Sequence, residues 1–173
     1  MKISNLLKKS SLICLATFAL HQSCIAGNDT FSNEKGYGEW ITGTFVIDGQ
    51  KTARIGSKYT QNNVAIFLDF LSPDLYLIEI IRTKDVPDRG MEPRYYLMDM
   101  AIAVDNKNRI NFKAKCAEDE TLDECFVPQS KNDELVKLFK KGNEVNFKIG
   151  DFDLYFSLSG FSKAFSRASR LVK

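Results

Sequence analysis

Few residues of this chain could do chemistry. It has four cysteines and one histidine, with carboxylates and serines scattered among its 173 residues. Histidine is the commonest general acid/base and the commonest zinc ligand. His21, however, falls in an N-terminal segment that reads as an export leader, and Cys14 and Cys24 fall there with it. Cys116 and Cys125 remain. Their spacing is not Cys-x-x-Cys, and the acids between them raise rather than lower a thiol pKa, which argues against redox catalysis. In an oxidising compartment the pair is expected to form a disulfide, the alternative being two free thiols. A serine nucleophile needs a base, and no Ser-x-x-Lys stands in a strand-to-helix setting to supply one. Asp69, Asp151 and Asp153 are the carboxylates whose strand-end positions could suggest paired acid work, but they read more simply as turn and strand-end residues. The segment Ala117–Glu124 could offer oxygens to calcium, but no glycine forces a tight cage, and it reads as a solvated acidic loop. The expectation is a non-catalytic protein without cofactor or metal.

The leader has three parts. Lys2, Lys8 and Lys9 make a positive start, Leu12 to Leu20 a short apolar run, and Ile25-Ala26 before Gly27 a cleavage site. The apolar run is shorter than the roughly 20 residues that span a bilayer. Cleavage is placed after Ala26, with Ala19 or Ser23 as other options, and the competing reading is an uncleaved anchor. Lipidation at Cys24 is a further alternative, although only Ser23 of His21-Gln22-Ser23 fits a lipoprotein signal. The chain has 24 basic and 22 acidic residues, and the leader takes three lysines and no acid, leaving 21 against 22, a net charge of −1. Such a balance points away from nucleic acid.

The elements that must position the remaining residues are mostly strands. Residues 27–38 are polar and glycine-rich and read as a flexible lead-in; 39–173 reads as one β-rich domain. Strands are expected over Glu39–Ile47 and Lys51–Tyr59, joined by an Asp48-Gly49 turn, then over Val64–Leu71 and Leu75–Thr83. Lys84 to Arg94 is a long loop, either a connector or a ligand-binding segment. Strands follow over Tyr95–Val104 and Arg109–Cys116, and a short one begins at Cys125, which Pro128 ends or confines to an edge. Asp133 to Lys141 has helical spacing, with Ser130 or Asn132 as cap and Gly142 as stop. Val145–Ile149 and Asp153–Leu158 make a last hairpin. A final helix runs from Ser159 to Val172, started by a serine cap. Its stripe of Phe161, Ala164, Phe165, Ala168 and Leu171 either docks on the sheet or lies at a membrane surface with Arg167, Arg170 and Lys173 facing lipid.

The block from Cys116 to Arg167 resembles the invasion-associated locus B family of bacterial envelope proteins. The resemblance rests on the cysteine pair, the helix Asp133–Gly142, and above all the run Ser157-Leu158-Ser159-Gly160-Phe161-Ser162-Lys163-Ala164. Tyr37-Gly38-Glu39-Trp40 is similar to the family's opening segment. A further cysteine pair common in the family is missing, since Thr42 to Gly56 holds none. The resemblance marks Trp40, Ser157, Leu158, Gly160, Phe161 and Ala164 as structural motif residues, and brings no catalytic ones. It implies a secreted, β-sandwich-like domain, with some members linked to host-cell entry.

The expected fold is therefore mainly β, a sandwich-like single domain with two short helices after a cleaved leader. The expected role is an interaction factor supporting host-cell invasion or virulence. The alternative is a periplasmic inhibitor or assembly module that binds another envelope protein. The location would be the periplasm, the outer membrane or the cell surface. The partner would be an unknown protein in the envelope or on a host cell, with no nucleic acid and only peripheral membrane contact.

Overall fold

The structure is a computed structural model that describes residues 32–47, 50–58, 62–84, 93–118 and 122–172. The leader, with Cys14, His21 and Cys24, lies outside the described residues, as do the Asp48-Gly49 turn, the tip of the acidic loop and most of the loop from Lys84 to Arg94.

Strand formation follows side-chain alternation. In β4 (Val64–Ser72), Val64, Ile66, Leu68 and Phe70 point to one face and are buried; in β5 (Leu75–Thr83), Tyr76, Ile78 and Ile80 do the same. Period-2 patterning of this kind places one face of an antiparallel sheet on a core. The described residues form ten strands and two α-helices. The remaining strands are β1 (Ser32–Tyr37), β2 (Trp40–Ile47), β3 (Gln50–Ser57), β6 (Arg94–Val104), β7 (Lys107–Glu118), β8 (Leu122–Phe126), β9 (Glu144–Ile149) and β10 (Phe152–Ser157). The helices are α1 (Gln129–Phe139) and α2 (Phe161–Leu171). The strands make one continuous antiparallel sheet in the order β1-β2-β3-β4-β5-β8-β7-β6-β9-β10. Turn chemistry sets the hairpins. Asp105 and Asn106, at φ +51° and +57°, make the tight two-residue connection from β6 to β7.

The sheet is mainly β and sandwich-like, as the sequence suggests, but its two layers are parts of one sheet that folds over on itself. Inward residues of β2–β5 and of β6, β7, β9 and β10 belong to a single core. Both helices pack into this same core. Phe139 of α1 meets Phe147 of β9 and Phe161 of α2, with ring centroids 6.3 and 5.4 Å apart. Phe165 of α2 meets Phe70 and Tyr76 at 5.0 and 5.3 Å. The apolar stripe of α2 is thus docked in the core, not free for a membrane, with Phe161, Ala164, Phe165 and Ala168 all buried.

Some local expectations change. The lead-in expected to be flexible contains β1, so the folded unit starts by Ser32, not at residue 39. β1 is exposed along most of its length, so no hydrophobic alternation marks it, and its pairing with β2 makes the strand. β8 is an interior strand between β5 and β7, and Pro128 stands at the N-cap of α1 instead of guarding an edge. α1 begins four residues before Asp133, at Gln129, and ends at Phe139. No side chain among the described residues caps it, neither Ser130 nor Asn132. Asn132 is instead buried in its first turns and donates from Nδ2 to the Tyr76 carbonyl at 2.8 Å. α2 likewise has no side-chain cap among the described residues, because left-handed Gly160 occupies that position instead of a serine.

Candidate functional site

The motif residues at the two ends of the domain come together at one seam. The indole Nε1 of Trp40 donates to the Ser157 carbonyl at 3.0 Å, across 117 residues of chain. The Glu39 N–H donates to the Ser159 carbonyl at 3.0 Å. Trp40 and Phe161 meet edge to face at 5.0 Å, and Trp40, Phe161 and Ala164 are completely buried, with Leu158 nearly so. Gly160 has φ +88°, and a Cβ there would overlap the Tyr37 carbonyl. The six motif residues therefore hold the start of β2 against the end of β10 and the start of α2. Ser157 is exposed, and its Oγ accepts the Ser159 N–H at 3.2 Å.

Cys116 and Cys125 form a disulfide between directly paired positions of β7 and β8, with Cα atoms 4.1 Å apart. Both sulfurs are buried. The acids beside the loop that this bond closes already have cationic partners. Asp123 pairs with Arg82 at 2.6 Å and with Lys84 at 2.7 Å, and Lys84 also reaches Glu118 at 3.1 Å. These acids are spent on ion pairs between β5, β7 and β8. Among the described residues no group of three or more His, Cys, Asp or Glu could hold a metal ion.

The three aspartates singled out for paired acid work are not brought together. Asp151 lies in the exposed turn between β9 and β10, and Asp153 on edge strand β10 pairs with Lys148 at 3.4 Å. Asp69 sits on β4, on the face turned away from the core, where it forms a bidentate pair with Arg54 of β3. Arg54 also reaches Glu79 of β5 at 3.2 Å and lies 4.7 Å from the Phe67 ring centroid. Glu124 of β8 belongs to the same group electrostatically. All four charged residues are at least 94 % buried, so the cluster carries three carboxylates against one guanidinium. Burial, reinforced by Asp69 and then by Glu124, holds the Glu79 carboxyl well above the usual carboxylate range, and Arg54 opposes this only in part. Burial pulls the Arg54 guanidinium down, but its carboxylate partners, Asp69 foremost, hold it above its ordinary value. Sequence reading missed this cluster. Its only trace is an acid set among the apolar residues of β4 and β5.

Open surface lies elsewhere. On the outward face of β6, Tyr95 and Leu97 are 51 % and 68 % exposed. Leu97 stands opposite Lys115 of β7, which stands opposite half-buried Phe126 of β8, and the Lys115 ammonium lies 5.4 Å from the Tyr95 ring centroid. This is a compact, exposed apolar strip with one cation beside it.

The whole arrangement can now be compared with known structures. The fold is similar to that of invasion associated protein B from Bartonella henselae. The likeness covers 81 % of this chain and 97 % of that one, with a TM-score of 0.54 and 14 % identity. No family model matches the chain, and no curated protein matches it. The likeness to invasion associated protein B is one of fold. No helix among the described residues is long and apolar enough to cross a membrane.

Proposed function

We propose that this chain is an exported, non-catalytic envelope protein that binds another macromolecule and supports entry into host cells. The observation that carries the reading is the fold likeness to invasion associated protein B over 97 % of that protein. The disulfide fits an oxidising compartment. The chemically able residues also fit a binder: the Ser157 hydroxyl accepts the Ser159 N–H, the cysteines are bonded, and Asp69 is locked to Arg54. Among the described residues, Tyr95 and Leu97 are the most exposed large apolar side chains, and their strip is the surface offered to a partner.

The test uses cells that lack the chain, complemented with wild type or with Tyr95→Ser/Leu97→Asp. Host-cell entry and protease sensitivity on intact cells are measured together. Wild-type restoration of entry, a cleavable protein on intact cells, and failure of the double variant at equal abundance support the reading. Entry unchanged by loss of the chain overturns it. Protection from protease until the outer membrane is opened also overturns it, and favours a module that binds another protein inside the envelope.

A further inference from the structure

α2 is organised in three stripes. Phe161, Ala164, Phe165 and Ala168 enter the core. Ser162, Ser166 and Ser169 form a second line, and each hydroxyl is used locally: Ser162 donates to the Lys140 carbonyl, Ser166 to the Ser162 carbonyl and Ser169 to the Pro73 carbonyl. Lys163, Arg167 and Arg170 form the third, at the i, i+4, i+7 spacing that puts them on one side of a helix. The Ser162–Lys140 bond at 3.0 Å brings the C-terminal end of α1 alongside, adding Lys141 and Lys140, whose ammonium lies 3.7 Å from the Phe165 ring centroid. Among the described residues none of these five cations pairs with a carboxylate. Arg167 and Arg170 spend hydrogen bonds on backbone carbonyls only, those of Asn33 and Ser166. Strand β1, which borders α2, contributes Glu34 and Lys35, which cancel, and the β4–β5 turn contributes Asp74.

The sequence makes the same asymmetry. From Leu154 to Lys173 there are four cations and no acid, so the rest of the chain has 24 − 4 = 20 basic against 22 acidic residues. The last twenty residues are thus purely cationic, whereas the rest of the chain is slightly negative.

We infer that the outward side of α2, with the end of α1, docks the protein on a lipid surface bearing phosphate headgroups. The shape of the surface points to such a partner. The cations line a convex helix, not a cleft, and no exposed large hydrophobic residue among the described ones lies on α2. A convex row of long cationic side chains suits a planar array of anions better than a single folded partner. The apolar stripe is already in the core, so contact is peripheral, without insertion, and sensitive to salt. The inference stands apart from the entry reading, because it is tested on purified protein and lipid alone.

The experiment is sedimentation of the purified, disulfide-intact protein with phosphatidylcholine vesicles, with and without one-fifth phosphatidylglycerol, at low and high salt. Binding is expected only to the anionic vesicles and is expected to be lost at high salt. Each cation removed lowers the partition coefficient about fivefold, so Lys163→Gln/Arg167→Gln/Arg170→Gln lowers it roughly a hundredfold. Because Arg167 also holds the Asn33 carbonyl, Lys163→Gln/Arg170→Gln is the safer companion, with a drop of about 25-fold. Lys107→Gln/Arg109→Gln/Lys113→Gln, on exposed β7 positions, is the control. Equal binding to neutral vesicles, binding that survives high salt, or an equal loss in the β7 control overturns the inference. So does tighter binding to duplex DNA than to the anionic vesicles.

Discussion

Replacing Gly160 by alanine tests whether the seam holds the two ends of the domain together. A non-glycine residue in the left-handed region costs about 1–2 kcal/mol, and Gly160 has φ +88°. The new Cβ would also collide with the Tyr37 carbonyl, which is backbone and cannot rotate aside. Relief requires the start of α2 to move away from the β1–β2 junction. That movement breaks the Glu39 N–H bond to Ser159 and the Trp40 indole bond to Ser157, both 3.0 Å long. Each is worth about 0.5–1.5 kcal/mol. It also breaks the Trp40–Phe161 edge contact, worth about 0.5–1.5 kcal/mol. The expected loss is roughly 3–6 kcal/mol, a large share of the 5–15 kcal/mol of about any single domain. Gly150→Ala is the comparison. Gly150 is also left-handed, at φ +56°, but an added Cβ there has nothing within 4 Å, so only the conformational cost of about 1–2 kcal/mol applies. Urea unfolding of both variants, with the disulfide intact and the slope m unchanged, gives the two numbers. A difference below about 1 kcal/mol would refute the argument that close approach, and not left-handed geometry alone, makes Gly160 necessary.

Other outcomes follow from the same structure. Cys116→Ser/Cys125→Ser should lower stability by about 2–3 kcal/mol, the chain-entropy value for so short a loop; an unchanged urea midpoint would show that the bond does not constrain the chain. Arg54→Ala should cost about 3–5 kcal/mol by leaving buried carboxylates uncompensated, and adding Asp69→Ala should recover part of it. A double variant less stable than the sum of the singles would contradict the pairing. Glu79, raised by burial and by Asp69 and Glu124, stays protonated in the folded protein well above the pH at which it ionises in the unfolded chain. Its contribution is therefore full below the unfolded pKa and lost as pH rises through the folded one. Melting temperature should fall with rising pH in the wild type and fall less in Glu79→Gln; parallel curves for the two proteins would refute this.

Much of the sheet was legible because burial leaves a period. The core-facing residues of β4 and β5 recur at every second position, although Ala65, Asp69, Glu79 and Ile81 on the other face are buried too, and Leu75–Thr83 matches the expected strand end to end. β1 was not legible, because an edge strand exposed along its length carries no hydrophobic period and only its register with β2 defines it. The start of α1 was misplaced because Asn132, a good cap by type, serves the Tyr76 carbonyl from inside the helix. The seam could be seen as a motif but not explained. Trp40 and Ser157 meet only when the two ends of the sheet come face to face. The Arg54 cluster was invisible for a similar reason: Arg54, Asp69, Glu79 and Glu124 come from four strands, and nothing local says that their side chains share one buried spot.

The place of β8 also constrains the order in which the molecule can assemble. Cys116 and Cys125 are nine residues apart, and β7 pairs with β8 through a short connection. The partner on the other side, β5, meets β8 through pairs such as Glu79 with Phe126, which lie 47 positions apart. Closing a short loop is cheap in entropy and fast, whereas a long one is slow. The β7–β8 hairpin can thus be made and oxidised while the rest of the chain is still open. The sheet becomes continuous only when this finished hairpin, with β6 beside it, is laid against β5. A protein oxidised before that step carries its central wedge ready-made. One oxidised after it must form the bond inside a closed core, where both sulfurs are out of reach of an oxidant.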